Sequence, residues 1–229
     1  MNCSEEKEKQ KLEDIKEFDR DSVRFFGNKC KDLRERKTVE AFLKVCGLAF
    51  GDDEVISYCP EPPDVLFRNA RFEVVEIQDE GRKRHKEYKE RAKKSVSASR
   101  LVDHLEESWQ NSAPIKFSEL LVLIEKEVDK KYNKYMNRKD GMIDFGALDI
   151  LVYVNLLNRH LRANAKVKCT LEFSSKVKRQ GWRSISFIMV PSTVPSYAGV
   201  VFVAQDAPDF IKDLQGSVRT AENPDVFDD

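Results

Sequence analysis

The chain has 229 residues, of which 41% are hydrophobic and 35% charged, and its forty basic and forty acidic side chains cancel. That length can bury a sizeable core and favours one domain with appendages, while the composition describes a soluble protein with a heavily charged surface. Net charge therefore excludes nothing about partners, and only a local asymmetry can point to nucleic acid.

Five cysteines (Cys3, Cys30, Cys46, Cys59 and Cys169) are scattered without a C-x-x-C pair, as expected of reduced intracellular thiols. Three histidines and no Cys/His cluster argue against structural zinc. No apolar run reaches the ~18–20 residues of a membrane span, and the charged N-terminus is unlike a signal peptide. The expected setting is cytoplasmic, with no membrane partner.

Residues 1–18 are mostly charged or polar, with Leu12, Ile15 and Phe18 at helical spacing, and read as a frayed helix or a disordered lead. A single domain is expected over 19–218. From Asp19 to Leu48 the pattern is helical, with Val39, Phe42, Leu43 and Cys46 on one face and Gly47 or Gly51 as the stop. Glu35 falls on the side of Val39, whereas Glu40 points roughly 100° away. A carboxylate on an apolar face needs a partner, so Glu35 is either ion-paired or a ligand.

Glu54 to Tyr58 predicts a strand, ended by a proline run that excludes helix and leads into Asp64. Val65 to Phe67 and Phe72 to Ile77 predict two more, joined by a turn at Arg68-Asn69-Ala70-Arg71. The segment from Arg82 to Arg100 predicts a helix carrying nine Lys/Arg and His85 against Glu87 and Glu90. It is either a solvated helix face or a grip on phosphates through Arg82, Lys83, Arg84, Lys86 and Lys89. Ser95 to Ser99 reads as a hinge or loop.

Phe117 to Tyr135 predicts the clearest helix, with Phe117, Leu120, Leu121, Ile124, Val128 and Tyr132 on one face. Leu148 to Leu156 is almost continuously apolar, as in a strand buried on both faces. Further strands are expected at Cys169 to Phe173, Arg183 to Val190 and Val200 to Ala204. A closing helix follows at Pro208 to Leu214, then a disordered acidic tail over 219–229. Strands interleaved with helices indicate an α/β domain with a mixed central sheet of five to seven strands, flanked by helices.

Alternate strand residues share a face, so Glu76 and Gln78 point together while Glu73, Val75 and Ile77 face the other way. A hairpin centred on position 70 brings Asp64 opposite Glu76. Two carboxylates that close repel unless a cation bridges them, and a hard divalent metal suits such oxygens. The Ile77 carbonyl is a candidate third ligand. These residues allow metal-assisted phosphodiester hydrolysis.

Pro63-Asp64 followed by Glu76-x-Gln78 resembles the PD-(D/E)xK nuclease superfamily over roughly residues 30–80, as a helix–strand–hairpin core. Pro62-Pro63-Asp64-Val65-Leu66-Phe67, Phe72-Glu73-Val74, Asp79-Glu80-Gly81-Arg82 and Gly181-Trp182-Arg183-Ser184 together resemble a bacterial family of candidate endonucleases, over about 30–215. The resemblance implies a restriction-endonuclease-like core and a Mg²⁺- or Mn²⁺-dependent endonuclease acting on DNA, with RNA still open. It implies Asp64 and Glu76 as metal ligands, Gln78 as the water-orienting residue, and Glu35, with Glu40 second, as the upstream acid. A homodimer is a further open expectation. Gln78 stands where the superfamily has lysine and supplies no charge. Either Arg82, Lys83 or Arg84 substitutes, or the site is weak or inactive. The alternative function is a non-catalytic nucleic-acid-binding or protein-interaction module on the same scaffold.

Trp182 is expected in the core, with stacking on a base or a place at a ligand mouth as the alternative; Asp149 in a structural role, with a second acidic site as the alternative; and His85 as a phosphate contact. No Ser-His-Asp arrangement, P-loop or Gly-rich dinucleotide turn is present.

Overall fold

The computed structural model describes residues 3–58, 62–100, 113–138, 143–156, 159–161, 177, 179–190, 196–216 and 218–221. The helices are α1 (Cys3–Phe25), α2 (Lys31–Val45), α3 (Arg84–Ser97), α4 (Phe117–Met136) and the short α5 (Asp209–Lys212). The strands are β1 (Val55–Ser57), β2 (Val65–Phe67), β3 (Ala70–Gln78), β4 (Ala113–Ile115), β5 (Asp149–Asn155), β6 (Arg159–Leu161), β7 (Ser184–Met189), β8 (Ser196–Val203) and β9 (Val218–Ala221). The expected strand at Cys169 to Phe173 lies outside the described residues.

Where the sequence suggests one domain over 19–218, the chain divides into two compact units. One combines Met1–Arg34 with Glu80–Asn111, and the other combines Glu35–Asp79 with Ser112–Asp229. In the first unit α1 runs through the charged lead and packs with α3. Both helices are too polar to bury a wide face, so specific contacts do much of the joining. Phe26 stacks on Tyr88 with ring centroids 4.3 Å apart. Arg91 forms an ion pair with Asp19, Nε lying 2.7 Å from Oδ1, and Asp19 is fully buried. Of the hinge or loop expected over 95–99, Ser95 to Ser97 are helical and Ala98 and Ser99 lie beyond the helix end. Ser95 is buried, and its hydroxyl donates to the Ala92 carbonyl at 3.0 Å.

The second unit is built on a seven-stranded mixed sheet in the order β1-β2-β3-β5-β7-β8-β9. The first three strands form an antiparallel meander, β3, β5 and β7 run parallel, and β8 and β9 return antiparallel. β5 lies inside the sheet, which accounts for its unbroken apolar sequence. β9 includes residues expected in the acidic tail, because Val218 to Ala221 complete the edge beside β8.

Strand parity sorts the core into two layers. On one face Ile77, Ile150, Val152, Ile185 and Phe187 pack against Leu120, Ile124 and Val128 of α4. On the other, Val65, Phe67, Phe72, Leu151 and Ile188 pack against Val39, Phe42 and Leu43 of α2 and Ile211 of α5. Gly47 ends α2 with φ of +73°, a left-handed conformation that a side chain would strain, while the Leu48 amide reaches back to the Leu43 carbonyl at 2.9 Å. This is an α/β architecture with a mixed central sheet flanked by helices. No helix among the described residues is long and apolar enough to cross a membrane.

Candidate active site

The turn between β2 and β3 is shorter than the sequence suggests. Phe67 pairs with Ala70, Leu66 with Arg71 and Val65 with Phe72, so only Arg68 and Asn69 form the bend. Arg68 takes φ of +52°, as tight hairpins demand of a bend residue. This register overturns the pairing of Asp64 with Glu76. The Asp64 amide donates to the Phe72 carbonyl at 2.9 Å, and its carboxylate Oδ2 accepts from the Val74 amide at 2.9 Å. Glu76 lies a further two residues along β3 from Val74, about 7 Å at strand rise. Face parity separates them as well. Val65 and Phe67 belong to the α2 side, so Asp64 points to the α4 side with Glu73, whereas Glu76 shares the parity of Phe72 and Val74. The acid beside Asp64 is therefore Glu73, which the sequence places on the opposite strand face from the expected ligand.

Glu73 has no exposed surface and Asp64 retains 3%. The Lys131 ammonium touches Glu73 Oε1. The contact is an ion pair, not a directed hydrogen bond, since neither Glu73 oxygen has a bond of ordinary geometry among the described residues. The Tyr135 hydroxyl also acts on Glu73. Burial and then the Asp64 charge push the Glu73 carboxyl up to about 7, against the opposing pull of Lys131 and Tyr135.

The lysine reaches the sheet because α4 presents it there. Val128, Lys131 and Tyr135 recur at three and four along the helix and share the face that packs on β3. Lys131 Nζ lies 4.9 Å from the Tyr135 ring centre. Tyr135 is buried and neighbours Trp182, which also meets Phe145 edge-on at 4.7 Å. The Trp182 indole donates to Gln180 Oε1 at 3.1 Å, and the Gln180 amide donates to Asp129 on α4 at 2.9 Å. Trp182 is thus core, and it buttresses the tyrosine under the lysine.

The other candidates lie elsewhere. Glu76 accepts from the Asn155 amide at 2.8 Å, and Gln78 is half-buried near the end of the same strand. Ile77 points its side chain into the α4 core. Its carbonyl is beyond Glu76 as seen from Asp64, so the predicted ligand set of Asp64, Glu76 and Ile77 is not assembled. Glu35 is half-buried on α2, and Glu40 is buried against Arg36 at 2.7 Å and Lys37 at 3.4 Å. Asp149 is fully buried and takes the guanidinium of Arg183, the Ser184 hydroxyl at 2.7 Å and the Arg71 amide at 2.9 Å, a structural role.

The predicted phosphate-gripping residues belong to the other unit. Arg82 is turned inwards with 6% of its side chain exposed and is bonded to Glu87 at 2.7 Å, which removes it from the basic surface. Lys83, Lys86 and Lys89 are exposed, and Lys86 lies 3.5 Å from Glu90. The Arg84 side chain lies outside the described residues. His85 is half-buried, with an Nδ1 that finds no hydrogen bond among them. No group of three or more His, Cys, Asp or Glu gathers as a metal cage among the described residues. The acid pair with lysine and tyrosine is the chemically unusual cluster. Sequence reasoning misses Glu73, Lys131 and Tyr135. Two signals point to them: the apolar pairs Val65/Phe72 and Phe67/Ala70, which set the register, and a lysine placed between Val128 and Tyr135 on an apolar helix face.

A search among curated proteins finds no match. Among solved structures, the chain is similar to PA4535 from Pseudomonas aeruginosa strain PAO1, described as a protein of unknown function of the Monooxygenase Superfamily. The two share 25% identity over 99% of each chain, with a TM-score of 0.63. The family described as "Putative endonuclease, protein of unknown function (DUF1780)" has a model that matches residues 7–223. With nearly its whole length matched, the chain belongs to that family.

Proposed function

We propose that the protein is a metal-dependent endonuclease that hydrolyses phosphodiester bonds in DNA, on a restriction-endonuclease-like core. The observation that carries this reading is the group on one face of the β2–β3 hairpin: Asp64 and Glu73 side by side, with the Lys131 ammonium on Glu73. The helix–strand–hairpin core that the sequence resemblance implies corresponds to α2, β1 and β2–β3. The family description points the same way. The superfamily name carried by the Pseudomonas protein points to oxygen chemistry, whereas two carboxylates and an ammonium suit a phosphate ester.

The donor set fits a hard divalent ion. Both acids offer anionic oxygens, and Mg²⁺ is commonly held by one or two carboxylates with substrate phosphate and water completing the shell. Asp64 and Glu73 would hold Mg²⁺ or Mn²⁺, and the bound ion would supply Lewis-acid polarisation of the phosphate. Lys131 supplies the positive charge that Gln78 lacks, opposite charge developing on the phosphate oxygens. Tyr135 orients Lys131 and Glu73. Burial among aromatic residues excludes water and strengthens these charge interactions.

Nicking of supercoiled plasmid with Mg²⁺ or Mn²⁺, with a structured RNA as comparator, tests the reading. Asp64→Asn and Glu73→Gln should each lower the rate at least ~100-fold, the scale of removing one transition-state interaction, while Glu76→Gln and Gln78→Ala keep most of it. Retained nicking in Glu73→Gln, or its loss in Glu76→Gln, would reject this site. A wild type that binds DNA in a salt-sensitive way but never cleaves is the result expected of the non-catalytic module.

A further inference from the structure

Lys131 holds one member of the acid pair. Its ammonium touches Glu73, and it is the outermost of the three charges: Lys131 keeps 16% side-chain exposure, against 0% for Glu73 and 3% for Asp64. Two buried carboxylates need positive charge close by, and a lysine of this chain already provides it. A divalent ion entering the same place must shed water and also compete with a covalently tethered cation. The acids are not equally free to respond. Asp64 is anchored by a backbone group, the Val74 amide, whereas Glu73 is held by side chains, the Lys131 ammonium and the Tyr135 hydroxyl.

We propose that Lys131 is an internal counter-ion that keeps divalent metal out of the Asp64–Glu73 pair until a substrate phosphate draws its ammonium away. The inference rests on the metal-dependent nuclease reading and adds an order of events to it: phosphate first, metal second. Lysine suits this task, because its ammonium is a point charge on a flexible stem with rotatable donors. It also has somewhere to go. The Tyr135 ring lies 4.9 Å from Nζ, so an ammonium leaving Glu73 for a phosphate keeps a favourable aromatic face beside it. The gate thereby selects polyanionic phosphodiester ligands over free metal, and a metal-loaded site without nucleic acid becomes a minor state.

Calorimetric titration of Mn²⁺ into the full-length protein without nucleic acid tests the gate. Lys131→Gln should bind Mn²⁺ at least tenfold more tightly than wild type, and adding Glu73→Gln to that variant should remove the gain. Equal Mn²⁺ affinity in wild type and Lys131→Gln overturns the gate but leaves the nuclease reading standing. No binding to either protein, with or without a DNA duplex, overturns both. If Lys131→Gln does not fold, nitrogen-15 NMR of the wild-type Lys131 ammonium decides. Mg²⁺ binding should expose this signal to fast solvent exchange, and a signal that stays protected when Asp64 and Glu73 resonances report bound Mg²⁺ overturns the gate.

Discussion

Glu73 concentrates the energetics of the site in one side chain. Its carboxyl rises from the ordinary 4.5 to about 7, first through burial and then through the Asp64 charge, with Lys131 and Tyr135 pulling it back. A raised folded-state value means that the native protein holds a proton that the unfolded chain has already released between those limits. The resulting stability is complete below about pH 4.5 and is lost as pH rises through 7. In metal-free buffer, wild type should therefore lose stability relative to Glu73→Gln between pH 5 and 7.5, by up to roughly 3 kcal/mol. Urea unfolding of the pair at several pH values measures this. A difference that stays constant, or grows in favour of wild type as pH rises, contradicts a buried Glu73 with a raised value.

At the scale of elements, the β2–β3 hairpin is held in place by an ion pair from strands far along the chain. Asp149, at the start of β5, accepts the Arg71 amide, while Arg183 binds Asp149 and donates to the Asn69 carbonyl at 3.0 Å in the bend. The sheet thus fixes the turn whose length decides which acid meets Asp64. Asp149→Ala leaves the largely buried Arg183 without its partner, and a loss of ~3–5 kcal/mol is expected. The double substitution Asp149→Leu with Arg183→Met should recover much of it, because the stranded charge is removed as well. Denaturant unfolding checks both. An Asp149→Ala cost under about 1 kcal/mol would mean that the pair does not anchor the hairpin.

At the scale of the whole molecule, the acid pair and the basic helix belong to different units of the chain. α3 offers Lys86 with 71% side-chain exposure and an exposed Lys89, whereas Arg82 is committed to Glu87. If α3 grips phosphates, Lys86→Ala with Lys89→Ala should weaken duplex binding. The salt dependence should become shallower by up to ~0.9 for each phosphate no longer neutralised, with the melting temperature unchanged. Fluorescence anisotropy across a salt series measures the slope, and an unaltered slope would assign these lysines to a solvated helix face.

Much of this organisation is legible in the residues alone. The apolar spacing of α4, the unbroken run of β5 and the alternation within β3 follow from local covalent geometry, which ties side-chain direction to position in a helix or strand. By itself, then, the sequence determined an α/β chain with a mixed sheet, and it assigned Glu73, Val75 and Ile77 to one face of β3. It could not determine register, which depends on turn length and on how apolar pairs match across two strands. Moving the bend from position 70 to Arg68–Asn69 exchanged Glu76 for Glu73 as the neighbour of Asp64. Nor could it determine which distant residue would supply the missing charge. Lys131 reaches Glu73 only because α4 packs across the parallel β3–β5 pair, bringing together segments far apart in the chain. Tertiary packing alone decided the partner of Asp64, the lysine on Glu73 and the assignment of the basic helix to a unit other than that of the sheet.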